Sequence, residues 1–238
     1  DIQKYMSRRY TPENIVISMA GNIEPEYAEE LAARYFAELP AANTEKIIVE
    51  VENPAKSLFR KKEIEQIHVG YAFPSVKRYD PLFDATQILN SVLGGSMSSR
   101  LFQKVREELG LAYTVYSYLS AYDEAGSLVV YSGVNAGNYR KSVDAVFGCI
   151  DDVKRKNISK EEFMRGKEQL TSSLVFAQES TSSQMLLYGK ELAYSGKVYD
   201  FEERVNRITS VTLDDVMAAT ELNFNRDKRA SLVVSRKI

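Results

Sequence analysis

The chain has 238 residues, 44% of them hydrophobic and 27% charged, which is the balance of a soluble globular protein long enough to bury a sizeable core. Its formal net charge of −2, with Lys and Arg scattered rather than gathered into a stripe, offers no positive field for nucleic acid. No apolar run approaches the roughly 20 residues of a membrane span, and the opening DIQKYMSRRY has no signal-peptide apolar region, so neither nucleic acid nor membrane is expected as a partner.

The chain opens abruptly inside a helix, and TPENIVISMAGNI then predicts a turn and a buried strand ending at Gly21. EPEYAEELAARYFAEL predicts a helix with Leu31, Tyr35, Phe36 and Leu39 on its inner stripe. Prolines and small residues break the pattern over 40–57, and the linker proper is placed at 43–57, dividing a segment 1–42 from a unit 58–238. In IEQIHVGYAF, Ile67, Val69, Tyr71 and Phe73 alternate with Gln66, His68, Gly70 and Ala72, the period of a strand with one apolar face. His68 then points away from the main core, either as an ordinary strand histidine or in a ligand or proton-transfer role. A helix follows over 80–93, with Leu82, Ala85, Leu89, Val92 and Leu93 close to helical spacing.

YTVYSYLSAY and GSLVVYSGVN, separated by DEAG, form a hairpin signature. Beyond it the chain is mostly helical: NYRKSVDAVFGCIDDVKRK is one helix, Ser159 and Glu162 stand at capping-box spacing, and further helices cover 162–194 and 200–209. Thr212 and Asp215 cap another, and RASLVVSRKI closes the chain as a strand. Cys149, the lone cysteine, has helical neighbours Val146, Phe147 and Ile150; that apolar setting favours an inert core thiol over a nucleophile. With His68 the only histidine, a multi-histidine metal site is excluded within this chain.

The two ends resemble each other. Asp1 precedes Tyr10 by nine positions and Asp215 precedes Phe224 by nine, each helix leading through a short turn to an apolar strand. The spacing suggests that the chain starts where one structural repeat is ending, with a half upstream; a chance likeness of helix-turn-strand units is the alternative.

The chemistry concentrates in GGSMSSRLFQKVREELGLAY, residues 94–113. Gly94 and Gly95 end one helix, Ser96 or Ser98 can cap the next, and Leu101, Phe102, Val105 and Leu109 are its apolar stripe. Arg100, Gln103, Lys104, Glu107 and Glu108 take flanking or solvent positions, and Gly110 is the C-terminal cap before Tyr113 begins a strand. Arg106 in the last helical turn and Tyr113 seven residues later can reach one point. A forked cation beside a phenol suits a peptide carbonyl and the negative charge developing on it. In the plainer alternative Arg106 only complements its helix C-terminus and Tyr113 packs with its hydroxyl in water.

LGGSMSSRLFQKVREELGLAYTVYS resembles the signature of the C-terminal half of pitrilysin/insulinase-type zinc peptidases, which include mitochondrial processing peptidases and bacterial processing-protease-like enzymes. YTPENIVISMAGNI is similar to the strand closing the N-terminal half in that family, and IHVGYAFPSVKRYDPLFDATQILNSVLGG to the start of the second half. The resemblance implies an α+β fold: a largely antiparallel sheet with helices packed on one face, one half of an inverzincin clamshell. Residues 1–42 would then be the closing strand and helix of the preceding half. It also implies zinc held in the first half by an inverted His-x-x-Glu-His motif and a downstream Glu, the middle Glu acting as general base. Arg106 and Tyr113 match the arginine and tyrosine that the second half contributes as substrate-binding residues, with Tyr113 also the catalytic aid to carbonyl polarisation.

This chain departs from the family in lacking His-x-x-Glu-His. The expectation is therefore a C-terminal portion of a zinc metalloendopeptidase, binding no metal and inactive alone, whose partners are an N-terminal zinc-bearing half and a peptide substrate. A homodimer is a further expectation, and a cytoplasmic setting is the default. The competing expectations are a non-catalytic subunit or core protein of a processing-peptidase-like complex, a half paired with a separately encoded zinc-bearing chain, and a plain peptide-binding module.

Overall fold

The computed structural model describes residues 1–39, 51 and 55–236, so most of the expected linker 43–57 lies outside the described residues. The chain divides into two compact units, one of Asp1–Ile48 with Ser172–Arg204 and one of Val49–Thr171 with Val205–Ile238.

The second unit is built on five strands: β1 (Ser57–Lys61), β2 (Ile67–Ser75), β3 (Ala112–Ala121), β4 (Gly126–Val134) and β5 (Ala230–Ser235), in the order β1-β5-β2-β4-β3. Among the described strands only the β1–β5 pair is parallel. In β2 the expected alternation is realised, with Ile67, Val69, Tyr71 and Phe73 buried and the residues between them half-buried. α3 (Phe83–Leu93), α4 (Tyr139–Lys156) and α8 (Leu213–Asn223) supply Ile88, Leu89, Val146, Ile150 and Val216 to the same core. Phe224 meets Phe73 edge-on at 5.5 Å within it. The fold is thus α+β with helices on one face of a largely antiparallel sheet.

Local chemistry fixes the element ends. Ser159 and Glu162 form the expected capping box ahead of α5 (Lys160–Gln178): Ser159 N–H donates to Glu162 at 2.7 Å and Glu162 N–H to Ser159 Oγ at 3.2 Å. Thr212 and Asp215 do the same for α8. The helical span expected over 162–194 holds α5 and α6, because Ser180 accepts Ser183 N–H and starts α6 (Thr181–Ser195), which Gly196 ends at φ 70°. α7 spans Phe201–Ser210. β1 escaped the sequence reading because its residues are all exposed, which leaves no alternation to detect.

The first unit contains α1 (Ile2–Arg9), α2 (Pro25–Phe36) and α6. The end-to-end likeness is present in three dimensions: α1 and α8 each stop at an aromatic residue, Tyr10 or Phe224, and each is followed by a 3₁₀ turn, Pro12–Asn14 or Arg226–Lys228. They diverge afterwards. Ala230–Ser235 is a strand between β1 and β2, whereas residues 15–20 are not a strand, and Val16, Ile17 and Met19 are exposed. A strand is defined by its ladder, and no described segment pairs with this one. Nor does α2 have the expected inner stripe: Leu31 and Leu39 are half-buried, while Tyr35 and Phe36 are exposed.

Candidate active site

The stretch 94–113 turns sharply before it presents anything. At Gly94 a Cβ would lie 2.6 Å from the Ser117 backbone nitrogen, whose N–H donates to Gly94 O at 3.0 Å; the helix end and β3 therefore touch through backbone. Neither Ser96 nor Ser98 caps the next helix. Ser96 Oγ donates to Ser91 O at 3.2 Å and Ser99 Oγ to Ser96 O at 2.5 Å, tightening the loop instead.

The helix that follows is a π-helix over Phe102–Glu108, with Leu109 N–H reaching Lys104 O at 3.1 Å. Its wider turn leaves Leu101 and Val105 in the core as expected but exposes Leu109, which α-helical spacing had placed on the inner face. Of the flanking and solvent positions expected for Arg100, the structure realises the flanking one: its guanidinium forks onto Glu162 with two bonds of 2.7 Å. Gly110, at φ 58°, makes the left-handed exit that the sequence anticipated.

Tyr113 then falls on a β-bulge. Ala112 pairs with Val134 and Thr114 with Gly133, so Tyr113 has no partner on β4 and its side chain is 75% exposed. Arg106 and Tyr113 do come together: the guanidinium carbon lies 5.6 Å from the Tyr113 ring centre and 4.7 Å from that of Phe102. This cation–aromatic packing, worth about 0.5–1 kcal/mol at an exposed site, holds Arg106 more firmly than the 3.7 Å contact of Nε with exposed Glu107. The two side chains border a cleft of about 420 Å³ that Gln66, Gly133, Asn135 and Asn138 also line.

Sequence reasoning missed those four residues and the bulge. The bulge left no signal in the residues: its buried positions Ala112, Val115 and Ser117 include a polar one, so they form no apolar pattern. His68 faces away from the core as expected, and its Nδ1 lies 2.5 Å from the Tyr131 hydroxyl. Cys149 is buried, and burial pushes its thiol up to about 11, which removes the thiolate needed of a nucleophile. Among the described residues no group of three or more His, Cys, Asp or Glu side chains is placed to hold a metal.

The family described as the peptidase M16 inactive domain matches residues 1–170. The zinc protease YmxG of Bacillus subtilis is 36% identical over 233 residues, 98% of this chain and 56% of that protein. A zinc protease of Streptomyces coelicolor is 31% identical over 98% of this chain and 52% of its own length. The chain therefore spans about half the length of these relatives. Among solved structures, a peptidase M16 inactive domain from Pseudomonas fluorescens superposes with a TM-score of 0.87 at 22% identity, covering all of this chain and 57% of that one. A protease from Helicobacter pylori gives 0.82 at 17% identity over 99% of this chain and 58% of its own. With the motif of residues 94–113 folded as described and the family match running through it, this chain belongs to the peptidase M16 family as an inactive-domain member.

Proposed function

We propose that the chain is the C-terminal portion of a zinc metalloendopeptidase and contributes Arg106 and Tyr113 to a peptide-cleaving site completed by an N-terminal portion. The observation that carries this reading is the convergence of a forked cation and a bulge-presented phenol on one cleft. In this reading zinc and its ligands lie on the N-terminal portion, inside a chamber that the two portions enclose, and this chain binds and orients the peptide. Arg106 donates to carbonyl oxygens of the bound segment. The Tyr113 hydroxyl donates to the oxyanion that forms at the scissile carbonyl, a donor worth about 3 kcal/mol or roughly a hundredfold in rate. The bulge serves this role by freeing Tyr113 from the sheet ladder.

The test is zinc-dependent cleavage of a quenched fluorescent peptide by the complete protein. Tyr113→Phe should lower kcat roughly a hundredfold with KM nearly unchanged, since the oxyanion exists only in the transition state. Arg106→Ala should raise KM as well. Unaltered turnover by Tyr113→Phe removes its role. A folded, zinc-loaded protein that cleaves nothing establishes the second reading, a non-catalytic subunit of a processing-peptidase-like complex, which the family's description as an inactive domain favours.

A further inference from the structure

The face of the sheet turned away from the core carries a trough. The register sets Gly70 of β2 between Leu232 of β5 and Tyr131 of β4, and sets Ala72 between Ala230 and Val129. Tyr131 and Val129 in turn oppose Tyr116 and Tyr118 of β3, and Leu232 is level with Leu58 of β1. Small side chains along β2 therefore form a floor between a wall of tyrosines and a wall of leucines. Tyr116, Tyr118, Leu58 and Leu232 are 40–50% exposed on it, around a cavity of about 660 Å³. A Cβ built on Gly70 meets nothing within 4 Å, so the space above the floor is open.

The two ends differ in chemistry. At one end the His68–Tyr131 pair, which lines the trough, stands beside Gly133, which lines the Arg106–Tyr113 cleft, so trough and cleft are neighbours there. At the other end are Lys56 and Lys228, both exposed, and among the described residues no carboxylate lines the trough. The floor from His68 to Pro74 is seven residues, or six steps of strand, about 20 Å at about 3.3 Å per residue, so an extended peptide crosses it in about six steps.

We propose that this trough is a substrate subsite: it takes the aliphatic or aromatic side chains of an extended peptide leading away from the cleft, and its lysine end selects a Glu or Asp side chain about six residues from the scissile bond. The cleft's place next to the trough and the positive charge of the far end, with no carboxylate among the described lining residues, carry the assignment. Placing the scissile bond at the cleft rests on the function proposed above. Apolar burial supplies the affinity, and the lysines supply polarity and register along the sheet.

The experiment uses the complete protein and two dye-labelled peptides, identical in their alternating Leu and Phe residues but carrying either Glu or Lys at the sixth position. Binding is read by fluorescence anisotropy after zinc is stripped, and cleavage is read separately on the zinc-loaded protein. Gly70→Leu, whose Cβ meets nothing within 4 Å, puts a side chain into the trough and should weaken binding of both peptides tenfold or more, with the thermal midpoint unchanged; Ala72→Leu is the second filler should the first melt early. Lys56→Glu with Lys228→Glu should reverse the preference from the Glu peptide to the Lys peptide. Equal binding by a folded trough-filled variant overturns the proposal. So does an unreversed charge preference, or oleate binding at the trough that peptide does not displace. If the zinc-loaded protein cleaves nothing but binding still follows Gly70 and the lysines, the subsite stands and the peptidase reading falls. If cleavage responds to Tyr113→Phe but neither binding nor cleavage responds to Gly70→Leu, the reverse holds.

Discussion

Arg100 and Glu162 join two elements through one carboxylate. Besides its two bonds from Arg100, which also donates to Asn157 O at 2.9 Å, Glu162 accepts the Ser159 N–H that opens α5. Burial by itself pushes the Glu162 carboxyl up, but the Arg100 hydrogen bonds, the Ser159 N–H and the Arg100 charge together hold it below the ordinary 4.5. A carboxylate whose folded pKa is depressed adds stability that is fully present above its unfolded value and lost as pH falls through the folded one. Glu162→Gln should therefore destabilise the complete protein at pH 7 by about 1–3 kcal/mol, and the gap from wild type should narrow as urea unfolding is repeated at pH values below 4.5. A gap that stays constant down to pH 3 would show that the charge of this pair contributes nothing. The sequence alone placed Arg100 at a flanking or solvent position without its partner, because a helical wheel assigns faces but not the carboxylate 62 positions away that meets it.

At the scale of elements, the turn from α3 through the π-helix into β3 sets where Arg106 and Tyr113 stand, and its two decisive glycines act by different physics. Gly94 is extended, at φ −158°, a conformation open to any residue; its constraint is space, with Ser117 backbone and Leu101 Cδ1 within 2.9 Å of a built Cβ. Gly110 has the opposite constraint, a left-handed φ of 58° with nothing within 4 Å of its Cβ. Gly94→Ala should cost about 1–3 kcal/mol through overpacking and lower activity by displacing β3. Gly110→Ala should cost about 1 kcal/mol from backbone strain alone. Denaturant midpoints and crystal structures of both variants would check this; a costlier Gly110→Ala, or an unmoved β3 in Gly94→Ala, would refute it. The glycines, the hairpin and the capping boxes could be read from residues because each rests on local backbone chemistry. The π-helix and the bulge could not, since both depend on tertiary contacts, Leu101 and Val105 being held in the core while Tyr113 drops out of the ladder. Residues 15–20 show the converse: a strand-like pattern remains only a pattern without a partner strand.

At the scale of the whole molecule the two units differ in what holds them. The larger one has a continuous core between sheet and helices. In the smaller one, α1, α2 and α6 bury no residue, and among the described residues only Thr11 and Tyr199 are buried. Ile2, Tyr35 and Phe176 are each more than two-thirds exposed. Helices with apolar faces left in water are the mark of a missing packing partner, because net helical stability comes mainly from burying such faces. The chain spans about 56% of its Bacillus relative, and the proposed N-terminal portion is the natural cover. Two consequences should be measurable. The 238-residue chain by itself should bind a hydrophobic dye strongly, and its backbone amides in α1 and α2 should exchange with solvent far faster than those of β2 and β4. Joined to the N-terminal portion, the same amides should become protected and the dye signal should fall, while β2 and β4 change little. Equal protection of α1 and α2 in both forms would mean that the smaller unit is self-sufficient, and the N-terminal portion would then have to pack elsewhere.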